Sequence, residues 1–356
     1  MHTYQLAKNL ADRGIEVSVY YSNPSNKNKI ENSSKHNIEG LKLFETKFPK
    51  LPPIFGRYII ASFLFSKRLY ESIDLNDFDS IYAQGFTAWY FLKKEPFNPK
   101  IISNLHGLNM FQNTINCMHL LQQKLYQIPA LYIIKRSSKL VSLGGRLTDI
   151  LNKYKEEKST IFELPNGIEN SWVANATSLD IKKNTPISMS FVGRYEKIKG
   201  IEELQYAIMR LPSSIKFSMN FIGPIPRSKR IKHSSVNYLG MINDRDTIKK
   251  VLTTSDILVC PSYSEGMPNV ILEGMACGCA IIATDVGAVR TMVSDDNGWL
   301  ISADNISDEL LKAFNEAGGL PGELLRRKKL ASLEKVKKHF IWDQIIDKTI
   351  ESLTWE

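Results

Sequence analysis

The stretch of sequence that decides the fold runs from Ile257 to Ser302 and reads ILVCPSYSEGMPNVILEGMACGCAIIATDVGAVRTMVSDDNGWLIS. Its first four residues are apolar and predict a buried strand, which a polar loop follows over Pro261–Pro268. A helix is expected from about Pro268, since proline is tolerated in a first turn, to just before Gly278, a typical C-cap residue. The apolar run AIIAT then predicts a second buried strand. This order of elements is typical of parallel sheets.

Similar apolar runs alternate with helical patterns along the rest of the chain, which predicts an α/β protein of two Rossmann-like domains facing each other across a cleft. A length of 356 residues also favours two domains, because single cores seldom grow past about 250 residues. We place the first domain at 1–172, a polar linker at 173–186 and the second domain at 187–335. We expect a final helical segment, 336–356, to pack back toward the first domain. The predicted strands are Val17–Tyr21, Leu41–Phe44, Ser80–Ala83, Lys100–Asn104, Leu140–Leu143, Thr160–Leu164, Ile187–Val192, Phe217–Ile222, Val236–Leu239, Ile257–Cys260, Ala280–Ala283 and Trp299–Ile301.

Two carboxylates, Glu265 and Glu273, are eight positions apart in the deciding stretch. We place Glu265 at the helix entrance and Glu273 about two turns into the helix, near the same face, so that one ligand can meet both. Gly266 lets the loop backbone come close to a ligand. The alternative is that both are solvated surface charges, which is the usual state of glutamate.

A second stretch, FVGRYEKIKG over Phe191–Gly200, places two cations after a predicted strand. The strand ends at Gly193, and Arg194 and Lys199 follow five positions apart. Ordinary solvated cations are the alternative interpretation. Helix N-termini and strand ends of two such domains would surround one cleft, which favours anionic ligands.

Together these stretches resemble the retaining GT-B glycosyltransferases of family 4, whose sequences contain the motifs EGxPNxxLEAMACGxPVVATxxGG and GRxxxxKG. The resemblance covers nearly the whole chain and implies that Glu265 contacts the hydroxyls of a donor sugar. It implies that Glu273 accepts hydrogen bonds from the ribose hydroxyls, a role that suits a carboxylate. It also implies that Arg194 and Lys199 grip the diphosphate, which gains negative charge as it leaves. The remaining donor-binding residues that it implies are Gly193, Gly266, Met267, Pro268 and Asn269.

In the first domain, the predicted strand at 100–104 leads into His106 and Gly107. A single histidine is more often structural than catalytic, but this edge of a parallel sheet faces the ligand. The family carries a comparable histidine, so the resemblance implies that His106 approaches the donor sugar. A neutral imidazole can donate or accept a hydrogen bond near pH 7.

Asn166 and Gly167 lie in a stretch, Pro165–Glu169, that resembles the PNGID turn of the family, with glutamate as its last residue. We expect the turn to shape the cleft near the hinge, and a simple Asn-Gly turn is the alternative. Upstream, Gly144 and Gly145 stand where the family usually carries a serine.

The sequence opens with a predicted helix, HTYQLAKNLADRG. In the family, a first strand and a glycine-rich loop precede this helix, and neither is present in this sequence. We expect that the true start lies upstream, and that an N-terminally extended chain is more stable or more active.

No metal or cofactor is expected, since a nucleoside-diphosphate sugar would be a substrate and fixed cations can replace a metal. Cys277 and Cys279 have no second pair with which to complete a zinc site. The pairs Asp77/Asp79 and Asp244/Asp246 formally fit an Asp-x-Asp metal motif, but they are better interpreted as loop and helix-cap residues.

The net charge of +9 indicates an anionic partner. Scattered basic residues disfavour nucleic acid, leaving a nucleoside diphosphate or an acidic membrane surface. The segment Lys47–Arg68 mixes cations with Phe48, Ile54, Phe55, Phe63 and Phe65 and could lie in a membrane interface, or could be a buried helix with solvated ends. No apolar run approaches the roughly 18 residues of a membrane helix, so we expect a cytoplasmic protein with peripheral contact at the inner face of the membrane as a further hypothesis.

We therefore expect a retaining, metal-independent transferase that moves a hexose-type sugar from a nucleoside-diphosphate sugar to a glycan or lipid-linked acceptor. Cell-surface polysaccharide or glycoconjugate synthesis is the expected setting. Three alternatives stay open: a non-catalytic nucleotide-sugar-binding or scaffold protein of the same fold, a GT-B epimerase and a GT-B phosphorylase.

Overall fold

The computed structural model describes residues 2–22, 38–176 and 186–354, and an α/β architecture with only parallel strand pairs is observed within them. All twelve predicted strands are confirmed, each with bounds within one residue of the expectation. The strands are β1 (Val17–Tyr21), β2 (Leu41–Glu45), β3 (Ile81–Gln84), β4 (Ile101–Asn104), β5 (Lys139–Ser142), β6 (Thr160–Glu163), β7 (Ile187–Val192), β8 (Phe217–Ile222), β9 (Val236–Gly240), β10 (Ile257–Cys260), β11 (Ala280–Thr284) and β12 (Gly298–Ile301). The helices are α1 (His2–Ala11), α2 (Arg57–Ser72), α3 (Trp89–Lys94), α4 (Cys117–Ile134), α5 (Arg146–Tyr154), α6 (Ile201–Met209), α7 (Arg245–Thr253), α8 (Asn269–Ala276), α9 (Val289–Met292), α10 (Ile306–Gly319), α11 (Gly322–His339) and α12 (Trp342–Thr354).

The C-terminal half forms one six-stranded sheet in the order β12-β11-β10-β7-β8-β9. The two strands at its centre, β7 and β10, are not consecutive in the chain, and the connections run in opposite directions on either side of them. Such a reversal opens a crevice beyond the carboxyl ends of the two strands, where ligands bind in open α/β sheets. The loops that follow β7 and β10 therefore occupy the ligand-binding position of this sheet.

The N-terminal half has two smaller sheets, a pair β1-β2 and a four-stranded sheet β3-β4-β5-β6. Strand β1 pairs only with β2, and β3 only with β4, within the described residues. The central strands β4 and β5 are buried along their whole length. Their carboxyl ends carry the loops that face the C-terminal half.

One apolar core joins the two halves of the molecule. It includes Ile101 and Leu140 from the N-terminal sheet and Leu258 and Ile281 from the C-terminal sheet. The shared core fixes the relative position of the two sheets, because side chains in a packed interior leave little room for sliding.

The last helix returns to the first. Trp342, Ile345 and Ile346 of α12 pack against Leu6 and Leu10 of α1. Helix α11 runs through the domain boundary predicted at residue 335, and residues 177–185 of the predicted linker lie outside the described residues. Among the described helices, none combines the length and apolar character that a membrane span requires.

The segment proposed for membrane contact, Lys47–Arg68, divides between two environments. Helix α2 buries Ala61 and Phe65, as the alternative interpretation required. Ile54 and Phe55, in the turn before the helix, are exposed, so the segment has both a core face and a solvent face.

Candidate active site

The loops after β7 and β10 approach each other closely at the carboxyl edge of the sheet. Gly200 ends the first loop with φ of +64°, and a Cβ atom built there would lie 1.9 Å from the carbonyl oxygen of Pro261. Only glycine fits, since both the left-handed backbone and the close approach exclude a side chain. The backbone N–H of Tyr263 donates to the carbonyl of Ile198 at 2.8 Å and ties the loops together.

This approach brings Lys199 and Glu265 into contact. Lys199 Nζ lies 2.6 Å from Glu265 Oε1, and both side chains are largely shielded from solvent. Ser262 Oγ donates to the same carboxylate oxygen at 2.7 Å. Burial opposes the charge on Lys199, but the adjacent Glu265 carboxylate outweighs it and raises the pKa of Lys199. The two residues predicted from separate stretches therefore form a charged pair in the crevice.

Arg194, like Lys199, follows β7, but its side chain points toward solvent. Its side chain is 72% exposed, and its guanidinium lies 3.2 Å from Glu196 rather than beside Glu265. An exposed ion pair of this kind contributes little to stability, roughly 0–1 kcal/mol. Arg194 thus keeps the freedom to turn toward a ligand in the crevice.

Glu273 occupies a different environment from Glu265, and the expectation that one ligand meets both carboxylates stays a prediction. Helix α8 begins only at Asn269, so Glu265 lies in the preceding loop and Glu273 is the fifth helical residue. Glu273 lines a pocket together with Trp172 and Arg245. Burial raises the pKa of Glu273 to about 7, while Arg245 acts in the opposite direction. Within the described residues, no hydrogen bond or ion pair joins Glu273 to Glu265.

The opposite wall of the crevice is the loop after β4, and its main contact with Glu265 is Gln112. The Gln112 amide donates to the Glu265 carbonyl at 2.6 Å and accepts from the Glu265 N–H at 3.3 Å. A second bridge runs from Ser264 Oγ to Asn109 Oδ1 at 3.2 Å. The sequence interpretation missed Gln112 and Asn109. Their position in a polar loop at a strand's carboxyl end was the available signal.

His106 lies where this loop begins, with φ of +55°. Its backbone N–H donates to Asn104 Oδ1 at 2.8 Å, and its Nε2 lies 3.0 Å from Gln84 Oε1. Burial lowers the pKa of His106, so the ring is neutral near pH 7. The next residue, Gly107, is so close to Gly266 that a Cβ on Gly266 would lie 3.0 Å from the Gly107 Cα. The residue that follows His106 in the chain therefore contacts the loop that carries Glu265.

The predicted turn at Asn166 also meets the C-terminal half. Asn166 is buried, and its side-chain amide donates to the Met267 carbonyl at 3.2 Å and to Asn269 Oδ1 at 2.9 Å. A Cβ on Gly167 would lie 2.5 Å from the indole of Trp342, which explains the glycine. The turn thus positions the residues that lead into α8, where Pro268 is the N-cap.

The glycines at 144 and 145 have a structural reason. Gly144 has φ of +99°, and a Cβ there would lie 2.6 Å from Thr291 Cγ2 in the C-terminal half. A serine at this position would clash with Thr291 and strain the backbone. The N–H of Arg146, two residues later, donates to the Gly287 carbonyl at 2.9 Å, so this loop too is in contact with the facing half.

One aspartate of the pairs weighed as metal ligands caps a helix. Asp244 is the N-cap of α7 and accepts from the Thr247 N–H at 2.9 Å, as predicted. Cys260, Cys277 and Cys279 are buried free thiols. Among the described residues, no group of three or more His, Cys, Asp or Glu side chains is placed to hold a metal ion.

Comparison with known proteins places this geometry in a family. The model of Glycosyltransferase Family 4 matches residues 1–172, and that of Glycosyl transferases group 1 matches residues 186–317. An uncharacterised glycosyltransferase of Methanocaldococcus jannaschii, MJ1178, is 24% identical over 97% of this chain and 91% of its own length.

Solved structures agree on the fold. Sucrose-phosphate synthase from Thermosynechococcus elongatus superposes with a TM-score of 0.79 and 17% identity, over 98% of this chain and 91% of that one. Anabaena HepE in complex with UDP-glucose superposes with a TM-score of 0.67 and 15% identity, over 99% and 94%. With two adjoining family matches, a Rossmann-type strand order and the facing loops described above, this chain belongs to the group 1 glycosyltransferases of the GT-B fold.

Proposed function

We propose that this glycosyltransferase uses a nucleoside-diphosphate sugar as donor and retains the anomeric configuration of the sugar on transfer. The observation that carries the proposal is the pair Lys199–Glu265, 2.6 Å apart at the carboxyl ends of adjacent strands. A cation and a hydrogen-bond acceptor side by side match the two chemical halves of such a donor, a diphosphate and a polyhydroxylated ring.

The cation side of the pair would act on the leaving group. Departure of the sugar leaves negative charge on the nucleoside diphosphate, and a fixed positive charge stabilises it most in the transition state. Lys199 has three N–H donors, so it can keep Glu265 and still bind a phosphate oxygen. Arg194, exposed at the mouth of the crevice, would close onto the same diphosphate, and no metal would be needed.

The carboxylate of the pair would orient the donor sugar. Glu265 would accept hydrogen bonds from sugar hydroxyls, and the free N–H groups around Gly266 and Asn269, at the start of α8, would hold the distal phosphate. His106, neutral and on the facing wall, can accept or donate one hydrogen bond to the sugar. Glu273 would meet the ribose in the adjoining pocket.

The UDP-glucose bound by Anabaena HepE supports a nucleotide sugar as the donor. We propose a glycan or lipid-linked acceptor used in cell-surface polysaccharide or glycoconjugate synthesis, with the protein in the cytoplasm at the inner face of an anionic membrane.

The proposal is tested by screening nucleoside-diphosphate sugars for a rise in melting temperature, because a ligand that binds the native state stabilises it. Transfer with the best donor is then followed by NMR of the product's anomeric proton in buffer with EDTA. Retention of configuration without added metal is expected. Inversion, or a requirement for a divalent cation, would contradict the proposal, and donor binding without any transfer would favour a non-catalytic binding protein.

A further inference from the structure

Helix α4 carries a row of apolar side chains on its solvent side. Met118 is 68% exposed, Leu121 is 53% exposed, and Ile128 is also mostly exposed. Positions 118, 121, 125 and 128 fall on one stripe of a helix because they are three or four residues apart. The inner side of α4 is used for other contacts, so the exposed row is not part of the core.

The turn before α2 lies beside this row. Ile54, Phe55 and Tyr58 are exposed, Phe55 by 63%. A Cβ on Gly56 would lie 3.2 Å from Leu125 Cδ2, and the rings of Tyr58 and Tyr126 are 6.0 Å apart. The two elements therefore form one continuous apolar surface, here called the α4 surface, which consists of Ile54, Phe55, Tyr58, Met118, Leu121 and Ile128. Continuous apolar patches of this kind mark binding surfaces, whereas scattered single residues do not.

The charge on the segments that form the α4 surface is mainly positive. Residues 46–70 and 96–148, which contain all of α4 and α2 as far as Tyr70, include no aspartate or glutamate, and Glu71 near the end of α2 pairs with Lys67 at 3.6 Å. Lys50, Arg57 and Lys124 are exposed and lie within four positions of these apolar residues in the chain. Apolar side chains that insert among lipid tails, with cations around them, match the surface of an anionic bilayer.

The α4 surface is connected to the candidate active site through a single helix. On the inner side of α4, Gln123 donates to the Asn109 carbonyl at 2.8 Å and Gln127 to the Met110 carbonyl at 2.7 Å. These contacts hold the loop whose Gln112 bonds the backbone of Glu265. An open pocket lined by Phe111, Lys124 and other residues lies along this path.

We propose that the α4 surface docks on an anionic membrane and holds the cleft next to acceptors whose lipid portion lies in that membrane. This inference rests on the proposed function for the acceptor, but the docking itself does not depend on it. The surface differs from the one that the sequence suggested, because it adds α4 and leaves out Phe65, which is buried.

The test is flotation of the full chain with vesicles of phosphatidylcholine alone or mixed with phosphatidylglycerol. The wild type is expected to float with the mixed vesicles and less with the neutral ones. The double substitution Leu121→Glu, Ile128→Glu should weaken partitioning by about tenfold or more, since two apolar anchors become anionic. Met209→Glu is the matched control, because Met209 is 54% exposed on α6 in the C-terminal half.

Flotation of the double variant equal to that of the wild type would overturn the proposal, as would a wild type that does not float. Arg57→Gln with Lys124→Gln tests the same surface without adding negative charge, and lost dependence on phosphatidylglycerol is expected. The melting-temperature shift with a nucleoside-diphosphate sugar is measured on every variant. A double variant that no longer floats but keeps the melting-temperature shift supports docking. A wild type that floats but shows no melting-temperature shift with any nucleoside-diphosphate sugar contradicts the proposed function and leaves the docking proposal standing.

Discussion

The two walls of the cleft differ in chemistry. The C-terminal wall presents charge, with Lys199 against Glu265 and Arg194 at the rim. The N-terminal wall presents carboxamides and bare backbone, chiefly Gln112 and Gly107, which contact the Glu265 loop. Charges stabilise charge that develops during reaction, whereas neutral hydrogen bonds fix position at lower desolvation cost. We infer that the C-terminal wall performs the chemistry and that the N-terminal wall sets its geometry.

The largest loss of activity is expected when charge is removed from the C-terminal wall, which tests the difference between the two walls most strongly. Lys199→Ala should lower kcat/KM by roughly 10²–10³, the usual loss when one preorganised charge-stabilising group is removed. Steady-state transfer assays with the identified donor measure it. Lys197→Ala, an exposed lysine in the same turn, should leave kcat/KM unchanged, and a comparable loss in both variants would argue against a specific role for Lys199.

A smaller loss is expected from the exposed cation. Arg194→Ala should reduce kcat/KM by about tenfold to a hundredfold, because its guanidinium would meet the diphosphate only in the bound state. The free energy of unfolding should change by less than about 1 kcal/mol, since the pair with Glu196 is exposed. Unfolding in urea and transfer assays separate the two effects. A large loss of stability would mean that Arg194 is structural.

The N-terminal wall should respond in a different way. Gln112→Ala should lower kcat by about tenfold while leaving donor binding nearly unchanged, because it removes the hydrogen bonds that position the Glu265 backbone. The control is Gln122→Ala, whose amide donates to Tyr126 on the same helix at 3.1 Å. A rise in KM with kcat unchanged for Gln112→Ala would assign the residue to substrate binding and contradict the positioning role of the N-terminal wall.

The smallest expected effect concerns stability rather than turnover. With the pKa of Glu273 at about 7 against an ordinary 4.5, the folded protein holds a proton that the unfolded chain releases first. The free energy of unfolding should therefore fall as pH rises from about 4.5 through 7. Glu273→Gln should remove this fall and gain about 2 kcal/mol at pH 8, measured by urea unfolding across pH. Glu323→Gln, on the exposed face of α11, serves as control, and parallel pH profiles for all three proteins would contradict the assignment.

Much of the fold was predictable because strands of parallel sheets are short, apolar and bounded by turn residues. The strand at Ile257–Cys260 and the helix from Asn269 both follow from such local patterns. Pairing between distant strands is not local, so the division of the N-terminal strands into two sheets could not be read from periodicity.

The candidate site shows the same division. Lys199 and Glu265 were identified from two stretches of sequence, and the structure places them in contact. Gln112 was missed because a glutamine in a polar loop has no distinctive spacing, and its role arises only from the approach of two glycines across the cleft. The helix was expected from about Pro268, and the structure confirms that start, with Glu265 in the preceding loop and Glu273 as the fifth helical residue.

The most direct test of the central claim is a calorimetric titration of a nucleoside-diphosphate sugar into the wild type, Lys199→Ala and Lys197→Ala. If Lys199 and Glu265 receive one donor molecule, the wild type and Lys197→Ala should bind it with the same affinity. Lys199→Ala should bind at least about tenfold more weakly, because a charge-assisted hydrogen bond to phosphate is lost. Equal affinity in all three proteins would show that the donor does not bind at this pair.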